Sequence, residues 1–432
     1  MSYTPARAIE VFCWGEPVGA VALDPASGFY AFEYFDDWVA GGVELSPLHL
    51  ANRPGVFVFP ELSRQTFHGL PAMVADALPD RFGSALVTAW MADQGIEERQ
   101  INALDRLAYA GDRSMGALSF APPATASGET PSLVQVADLV TAARAQLAGT
   151  LDAVGAHEAL TQLITVGSTA GGARAKAVIA YNPATGQMRS GQLDAPPGFE
   201  QWLLKLDGVG DPRGQSDALV SSQQYCRVEY AYYLMAQRAG VEMAESKLLL
   251  EDERAHFMTR RFDRAEGNER LHLQSLCALA HLDYNLAHTH SSSSWLLTAR
   301  QLGLGPSSAN QIFRRILLNV MGVNRDDHTK NVAFLLARNG SWQLAPAYDV
   351  THSNWGGEWT QGHQMSVNGK FVGITLDDLR TLADRHEVPD IERCIAEVSA
   401  AVDAWGDAAR EAGVDAETAA QVARDIDELR PR

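Results

Sequence analysis

The spacing of apolar residues changes along this chain, and this change constrains the fold more than any other feature of its sequence. Residues 7–23 alternate apolar and polar positions around a Gly-Glu-Pro turn, and residues 29–35 continue the strand-like pattern. Beyond about residue 265 the apolar positions mostly recur at helical spacing. Amphipathic helices are predicted at the end of the chain, over residues 376–386, 390–412 and 415–430. The sequence therefore predicts an α+β fold with a β-rich N-terminal subdomain and a largely helical C-terminal lobe.

The length of 432 residues is a second constraint, because a single hydrophobic core stops growing at roughly 250–300 residues. A segment rich in Pro, Ser, Thr and Gly at 121–132 has the composition of a linker. After it come predicted helices within 133–163, strands at 177–181 and 201–206, and a helix at 224–240, which is the order of a two-layer α/β lobe. We therefore predict three regions, at residues 1–125, 133–265 and 266–432.

Composition and charge argue against several classes of protein. The formal net charge of -18 repels nucleic acid phosphates, so we expect DNA contact only through a basic partner. No apolar run of about 18 residues and no signal-like N-terminus occur, which predicts a cytoplasmic protein without membrane contact. The four cysteines are scattered without a CxxC pair, so we expect buried thiols rather than zinc or disulfides. The run His-Thr-His-Ser-Ser-Ser-Ser at 288–294 is predicted to be a mobile loop.

The block Asp-Asp-His-Thr-Lys-Asn at 326–331 is the strongest local signal. An apolar strand, an Asn-Gly turn and a second strand follow it, which is the pattern of a β-hairpin, and Asp349 comes after the second strand. Asn331 and Asp349 are nearly equidistant from the turn, so the hairpin would return both side chains to the same open end. One carboxylate and one amide oxygen, completed by phosphate oxygens and water, suit Mg²⁺. We therefore predict that Asn331 and Asp349 are magnesium ligands.

The spacing from Asp326 to Asn331 also fits a kinase catalytic loop, in which the Asp accepts the proton of the substrate hydroxyl. Because Asp and Asn are common in loops, the spacing alone is equally compatible with an ordinary loop. Kinase chemistry further needs a cation on the ATP phosphates and an acidic partner for it. Lys205 in an apolar strand and Glu229 on the next helix are the candidates. The alternatives are an edge-strand lysine that faces water and an ordinary surface glutamate.

Two further segments have the composition of nucleotide contacts. The Gly-rich turn at 167–172 is a candidate phosphate-binding nest, because glycines let backbone N–H groups approach an anion closely. The alternative is a simple tight turn, and no Gly-Lys-Ser/Thr of a Walker A loop is present. The charged run Arg-Arg-Phe-Asp-Arg at 260–264 follows a strand, where a kinase hinge would meet adenine and ribose. Taken alone it would be interpreted as a charged loop.

In this order the segments resemble the HipA family of bacterial toxin kinases, over most of the chain. The matching segments are Leu-Pro-Asp-Arg-Phe-Gly at 78–83, Ala-Gly-Asp-Arg-Ser-Met-Gly-Ala-Leu-Ser-Phe at 110–120, the Gly-rich turn, Trp-Leu-Leu-Lys-Leu-Asp at 202–207, the run at 260–264, His-Leu-Gln at 272–274, the block at 326–331 and Pro-Ala-Tyr-Asp at 346–349. The resemblance implies a bilobal protein-kinase-like fold that uses ATP and Mg²⁺.

The resemblance also implies a role for each matching position. Asp326 is expected to be the catalytic base, and Asn331 and Asp349 are expected to bind the metal. The residues expected to contact ATP are Lys205, Thr169, Gly171, Gly172, Phe262, Asp263, His328 and Lys330. Glu229 is expected to form an ion pair that supports Lys205.

A regulatory site is implied as well. In the family a hydroxyl of the Gly-rich loop is autophosphorylated, and the loop then leaves the ATP site. Counting back from Lys176 without a gap places this hydroxyl at Thr169, and a one-residue gap places it at Ser168. A phosphate of roughly -2 charge on this loop would be repelled by the phosphates of ATP, which gives the silencing a physical cause.

The implied activity is transfer of the ATP γ-phosphate to a Ser or Thr of an aminoacyl-tRNA synthetase, glutamyl-tRNA synthetase being the best-known target. A small HipB-like helix-turn-helix antitoxin is the implied partner. Two alternatives remain open. One is a weakly active or inactive member that acts as a co-repressor with its antitoxin, against which the intact set of Lys205, Asp326, Asn331 and Asp349 argues. The other keeps the fold but transfers a different group, or uses a lipid or small-molecule acceptor.

Overall fold

The computed structural model describes residues 5–123, 139, 175–192, 194–209, 224–354 and 356–431. The predicted Gly-rich turn at 167–172 lies outside these residues, as does all but residue 139 of the segment 133–163 that was predicted to be helical. The chain forms two compact units. The first comprises residues 1–214, 258–274 and 336–341, and the second comprises residues 215–257, 275–335 and 342–432. The division into three regions stays a prediction.

The first unit contains most of the strands. They are β1 (Ala8–Cys13), β2 (Glu16–Asp24), β3 (Phe29–Tyr34), β4 (Val56–Phe57), β5 (Leu118–Ala121), β6 (Lys176–Tyr181), β7 (Met188–Ser190) and β8 (Glu200–Lys205). Its α-helices in the described residues are α1 (Asp36–Gly41), α2 (Arg64–Phe67), α3 (Ala72–Ala75), α4 (Arg81–Asp93) and α5 (Ala103–Ala110). Short 3-10 helices span Glu98–Gln100 and Glu266–Asn268.

An antiparallel sheet in the order β4-β3-β2-β1-β5 forms the N-terminal part of this unit. The predicted hairpin is confirmed: β1 pairs with β2, and Trp14 and Gly15 in its turn both have positive φ. Along β1 the residues Ile9, Val11 and Cys13 are buried while the intervening positions are more exposed, as the alternating pattern requires. A second antiparallel arrangement pairs β6 with both β7 and β8.

The second unit is mostly helical. Its helices are α6 (Tyr225–Arg238), α7 (Leu276–Ala280), α8 (Ser292–Gln301), α9 (Pro306–Met321), α10 (Leu376–Arg385), α11 (Ile391–Asp403), α12 (Trp405–Glu411) and α13 (Ala416–Leu429). Its 3-10 helices span Thr329–Asn331 and Glu358–Gln361, and its strands include β9 (Ser246–Glu251), β12 (His290–Ser291), β14 (Trp342–Leu344) and β15 (Met365–Ser366). The strands β10 (Arg254–Arg260), β11 (His272–Ser275) and β13 (Ala333–Leu336) have residues in both units.

One hydrophobic core runs through the second unit. Helix α9 packs against α11, and α6 packs against α12, so the amphipathic stripes face each other. The hydroxyl of the buried Tyr232 on α6 donates to the carbonyl of Gly322, just after α9. These contacts fix the end of α9 and therefore the start of the loop that carries the block 326–331.

The predicted fold class is confirmed: the chain is α+β, with a β-rich N-terminal region and a largely helical C-terminal part. Three details were wrong. Most of the run 288–294 is not a loop, because residues 290–294 form β12 and the first turn of α8, whose cap is the Ser291 hydroxyl. The helix predicted at 390–412 is interrupted at Ala404. The short strands β11, β12 and β15 lie beyond residue 265, where outside the hairpin after residue 331 only helical spacing was recognised.

Two expectations from composition can be compared with the structure. All four cysteines are buried and none is in a disulfide, which confirms the prediction of buried thiols. In the described portion of the chain, every helix is too short or too polar to cross a lipid bilayer.

Candidate active site

A β-hairpin brings Asn331, at the end of the block 326–331, and Asp349 close together. A 3-10 helix that contains Asn331 leads into β13, and β14 returns the chain toward Asp349. The backbone N–H of Ala345 donates to the Ala333 carbonyl over 3.1 Å, which pairs the strands at the open end. Asn331 and Asp349 consequently line one pocket together with Asp327. The other lining residues are Trp295, Arg315, Asn319, Asn324, Val332, Ala347, Tyr348 and Val350.

The oxygen donors of this pocket suit a hard divalent cation. The Asn331 Nδ2 group donates to the Asp326 carbonyl over 2.9 Å, so the amide oxygen is the atom that remains for a ligand. A carboxylate and an amide oxygen are donors that Mg²⁺ accepts, with phosphate and water in its other positions. Among the described residues no cluster of three or more His, Cys, Asp and Glu side chains is arranged to hold a metal. The roles of Asn331 and Asp349 as metal ligands stay predictions.

Asp326 differs from its neighbour Asp327 in exposure and in bonding. The Asp326 side chain is 44% exposed, and its Oδ1 accepts a hydrogen bond from Trp359 Nε1 over 2.7 Å. His328 Nε2 lies 3.7 Å from the same oxygen. The Oδ2 atom accepts no hydrogen bond from the residues that the structure describes. An exposed carboxylate with an available oxygen can take a proton from a hydroxyl, which is what a general base requires.

Asp327, in contrast, is buried and occupied on both oxygens. Its Oδ1 accepts from the backbone N–H of Gln364 over 2.7 Å, and His363 Nδ1 lies 3.0 Å from its Oδ2. These bonds join the loop at 326–331 to the segment that precedes β15. Asp327 therefore stabilises the conformation of the loop, although it also lines the pocket.

The backbone around Asp349 is held from two sides. The Tyr348 hydroxyl donates to the Lys330 carbonyl over 2.7 Å, which joins the segment that contains Asn331 directly to the segment that contains Asp349. The Arg315 guanidinium donates to the Ala345 carbonyl over 2.7 Å, and burial lowers the pKa of Arg315 to about 10 despite the opposing effect of Glu242. Asp349 itself has φ of 52°, a left-handed conformation that costs roughly 1–3 kcal/mol for most residues.

The two residues predicted to serve the ATP phosphates are both buried, each in its own unit. Lys205 is the last residue of β8, and the register of the antiparallel pair places Lys176 directly opposite it. Partners in such a pair direct their side chains to the same face, so two ammonium groups share one face of the sheet. Glu229 lies on α6 and is fully buried. The alternatives of a lysine facing water and of a surface glutamate were therefore wrong, while the ion pair between the two stays a prediction.

The charged run at 260–264 is organised around a buried carboxylate. Asp263 is fully buried and accepts two bonds from Arg261, of 2.9 and 2.6 Å, and one from Arg264 of 2.7 Å. The backbone N–H of Gly116 donates a fourth bond over 2.7 Å. Burial alone would raise the pKa of Asp263, but the two guanidinium groups hold that pKa well below its usual range. This cluster joins the segments 110–120 and 260–264, and a nucleoside contact by Asp263 stays a prediction.

Three of the other residues expected to contact ATP, His328, Lys330 and Phe262, are among those that the structure describes. The His328 ring lies 5.3 Å from that of Tyr284 and 6.0 Å from that of Trp359, and the Lys330 ammonium lies 5.8 Å from the centre of the Tyr284 ring. Phe262 is half-buried in the first unit. The predicted positions Ser168, Thr169, Gly171 and Gly172 lie outside the described residues.

Sequence reasoning missed the residues that support this site. Trp359, His363 and Gln364 bind the loop at 326–331 from more than 30 positions away, and no local pattern marks them. Lys176 carried a usable signal, since it begins the strand that follows the Gly-rich turn. Tyr348 also did, because it immediately precedes Asp349.

Two family models match this chain. The chain matches the family model of the HipA-like C-terminal domain over residues 168–405 and that of the HipA N-terminal domain over residues 9–121. No curated protein sequence gives a significant match.

Two solved structures are similar to different degrees. The complex of HipA, HipB and operator DNA from the toxin–antitoxin system of Shewanella oneidensis MR-1 matches with a TM-score of 0.68 and 17% identity, over 98% of this chain and 95% of that chain. At this identity the likeness shows the fold alone. The proinflammatory kinase CtkA of Helicobacter pylori matches with a TM-score of 0.30 and 13% identity, over 53% of this chain and 92% of that chain, which is too low to carry an argument.

Proposed function

The chain belongs to the HipA toxin family, and from this premise we propose that it is a protein kinase that transfers the γ-phosphate of ATP to a serine or threonine of another protein. The observation that carries the proposal is the pocket that Asn331 and Asp349 line, where Asn331 also donates to the backbone carbonyl of Asp326. Phosphoryl transfer needs positioned metal ligands and a group that accepts the proton of the attacking hydroxyl. These residues provide the side chains for both.

In this proposal Asn331 and Asp349 hold Mg²⁺, which when bound neutralises charge on the β- and γ-phosphates. Asn331 is preoriented for this by its bond to the Asp326 carbonyl, and the position of Asp349 is supported by Tyr348 and Arg315. Because these contacts exist in the protein alone, the ligand oxygens need little rearrangement when the cation binds. Preorganisation of this kind is the main source of catalytic power in phosphoryl transfer.

Asp326 is the proposed general base. Its Oδ2 accepts the proton of the acceptor hydroxyl while the hydroxyl oxygen forms a bond to the γ-phosphorus, and the bond from that phosphorus to ADP breaks. ADP leaves with the electron pair of the broken bond, and the acceptor leaves as a phosphomonoester. The exposure of Asp326 supports this role, because a protein acceptor must reach the base from solvent.

The ATP phosphates are proposed to meet Lys205, assisted by Glu229, and the Gly-rich segment with Thr169, Gly171 and Gly172. The placement of Lys176 across from Lys205 supports a polyanion at that face of the sheet. Phe262 and Asp263 are proposed near the nucleoside, and His328 and Lys330 near the phosphates. His328 Nδ1 is buried and has no hydrogen-bond partner in the described ranges, which leaves it for a ligand.

We also propose how the kinase is regulated and which proteins it contacts. Phosphorylation of Ser168 or Thr169 is proposed to silence the kinase by repulsion from ATP. A HipB-like antitoxin is the proposed partner, since the HipA of Shewanella oneidensis forms a complex with HipB and operator DNA. The net charge of -18 supports DNA contact through such a partner only. An aminoacyl-tRNA synthetase in the cytoplasm is the proposed target.

Incubation with ATP labelled on the γ-phosphate, in the presence of Mg²⁺ and a cell lysate, tests the proposal. The wild type should label itself and a protein acceptor, and Asp326→Asn should lower the rate by about 10²–10⁴-fold, the usual contribution of a general base. Asp377→Asn is the matched control, because the Asp377 side chain is 91% exposed and, among the residues that the structure describes, forms only a surface ion pair with Arg380. Absence of label with the wild type would leave the co-repressor role, and an adenylate instead of a phosphate on the acceptor would leave a different group transfer.

A further inference from the structure

The segment that precedes β15 lies against the loop at 326–331. Besides its backbone bond to Asp327, Gln364 uses its side-chain Nε2 to donate to the Arg325 carbonyl over 3.2 Å. Arg325 returns the contact, because its Nη1 donates to the Thr360 carbonyl over 3.1 Å. With the contact of His363 to Asp327, these bonds fix the segment to the residues on both sides of Asp326.

The same segment is also held by His288. Its Nδ1 lies 3.0 Å from the His363 carbonyl and its Nε2 lies 3.2 Å from the Glu358 carbonyl. The His363 N–H in turn donates to the Phe371 carbonyl over 2.9 Å, and the Phe371 ring lies 5.8 Å from that of His288. The 3-10 helix Glu358–Gln361 is therefore tied down at its first residue and again just after its last.

Trp359 is the residue that this arrangement presents to Asp326. The indole N–H donates to Asp326 Oδ1 over 2.7 Å, and the indole ring lies edge-on to that of His328 at 6.0 Å. A bond from an N–H to a carboxylate is stronger than a bond between neutral groups, and it restricts both torsions of a short side chain. With Oδ1 engaged, Oδ2 is the oxygen left to face an acceptor.

We propose that Trp359 is a positioning residue for the kinase reaction: its indole N–H fixes the orientation of the Asp326 carboxylate so that Oδ2 receives the proton of the acceptor hydroxyl. This inference rests on the proposed function, since it gives Asp326 the role of general base. It assigns the segment 358–364 the task of holding that donor in place. Trp359 touches neither acceptor nor nucleotide in this scheme, and it acts only through Asp326.

The test replaces Trp359 by phenylalanine, which keeps an aromatic ring and removes the N–H donor. The maximal rate of label transfer should fall by about 10- to 100-fold, the effect of a misplaced catalytic group, while the ATP concentration that gives half the maximal rate stays unchanged. Trp359→His, which retains a ring N–H, should recover part of the rate. Trp405→Phe is the control, because it removes an indole bond of 3.0 Å to the Ala419 carbonyl elsewhere in the same unit.

A second measurement does not depend on activity. The chain has nine tryptophans, so its ¹⁵N spectrum should contain nine indole signals, and the signal lost in Trp359→Phe identifies Trp359. Asp326→Asn should shift that signal upfield, because the bond to a charged oxygen becomes a bond to a neutral one. An unshifted signal, or a Trp359→Phe variant with the wild-type rate or a faster one, overturns the positioning role. A wild type that transfers no phosphate refutes the proposed function itself, and this inference falls with it.

Discussion

Replacing Asp263 by asparagine tests whether the charge cluster at 260–264 serves stability or nucleoside binding. The carboxylate is fully buried and accepts four hydrogen bonds, three from the guanidinium groups of Arg261 and Arg264 and one from Gly116. Asparagine has the same shape but no charge, and its amide nitrogen cannot accept a bond. The substitution therefore leaves two guanidinium groups, only 2% and 6% exposed, without the anion that balances them.

The expected loss is large for a single substitution. Removing one partner of a buried ion pair costs about 3–5 kcal/mol, because the remaining charge stays desolvated. For a domain of 150–250 residues, 1 kcal/mol corresponds to roughly 2–4 °C, so Asp263→Asn should lower the melting temperature by roughly 6–20 °C. Since the pKa of Asp263 is depressed in the folded protein, its contribution is complete above the unfolded value of about 3.9 and is lost only as the pH falls below that value. The loss should accordingly be the same at pH 6 and at pH 8.

Scanning calorimetry of the full chain measures this effect, and ATP titration of the transfer rate provides the comparison. Asp24→Asn in the same unit is the control, because the exposed Asp24 carboxylate accepts local bonds within a surface turn, from Ser27 and from the backbone N–H of Ala26, and its replacement should leave the melting temperature close to that of the wild type. An Asp263→Asn variant that melts with the wild type but needs more ATP would refute the stability argument and would support a nucleoside contact.

Two further substitutions test other parts of the structure. Tyr348→Phe removes the bond to the Lys330 carbonyl and should lower the free energy of unfolding by about 0.5–1.5 kcal/mol. Because Asp349 follows Tyr348 directly, the variant should also need more Mg²⁺ for phosphate transfer. An unchanged Mg²⁺ titration would contradict this. Burial lowers the pKa of His272 to about 4, so between pH 6.5 and 4 the unfolded chain binds more protons than the folded one. The free energy of unfolding should therefore fall by up to about 3 kcal/mol as the pH drops across that range. His272→Gln should flatten this slope in thermal melts, and equal slopes in both proteins would show that other groups cause it.

Those parts of the fold that depend on neighbouring residues could be predicted from the sequence. The hairpin of β1 and β2, the strands β6 and β8, and the helix α6 were all predicted to within about two residues, because their apolar spacing and turn residues are local signals. The meeting of Asn331 and Asp349 was predictable for the same reason, since a single Asn-Gly turn relates the two positions.

The supporting contacts could not be predicted, because they join distant segments. Gly116 and Asp263 are 147 positions apart, and Trp359 and Asp326 are 33 apart. Each bond depends on where several intervening elements pack, which no period or motif encodes. The serine run at 288–294 failed for a different reason: serines suggest a loop by composition, yet Ser291 caps α8, a role that serine hydroxyls favour at a helix start.

Hydrogen bonding distinguishes the structural carboxylates Asp263 and Asp327 from the candidate base Asp326 more clearly than sequence spacing does. Asp263 and Asp327 are buried, and each has a nearby donor on both oxygens, so neither presents an unbonded oxygen to an acceptor that arrives from solvent. Asp326 is 44% exposed and has one oxygen held while the other is available. A base must keep its orientation and still have capacity to accept, and of these three carboxylates Asp326 alone meets both conditions. That combination, rather than the five-residue spacing to Asn331, is the stronger physical reason to propose Asp326 as the base.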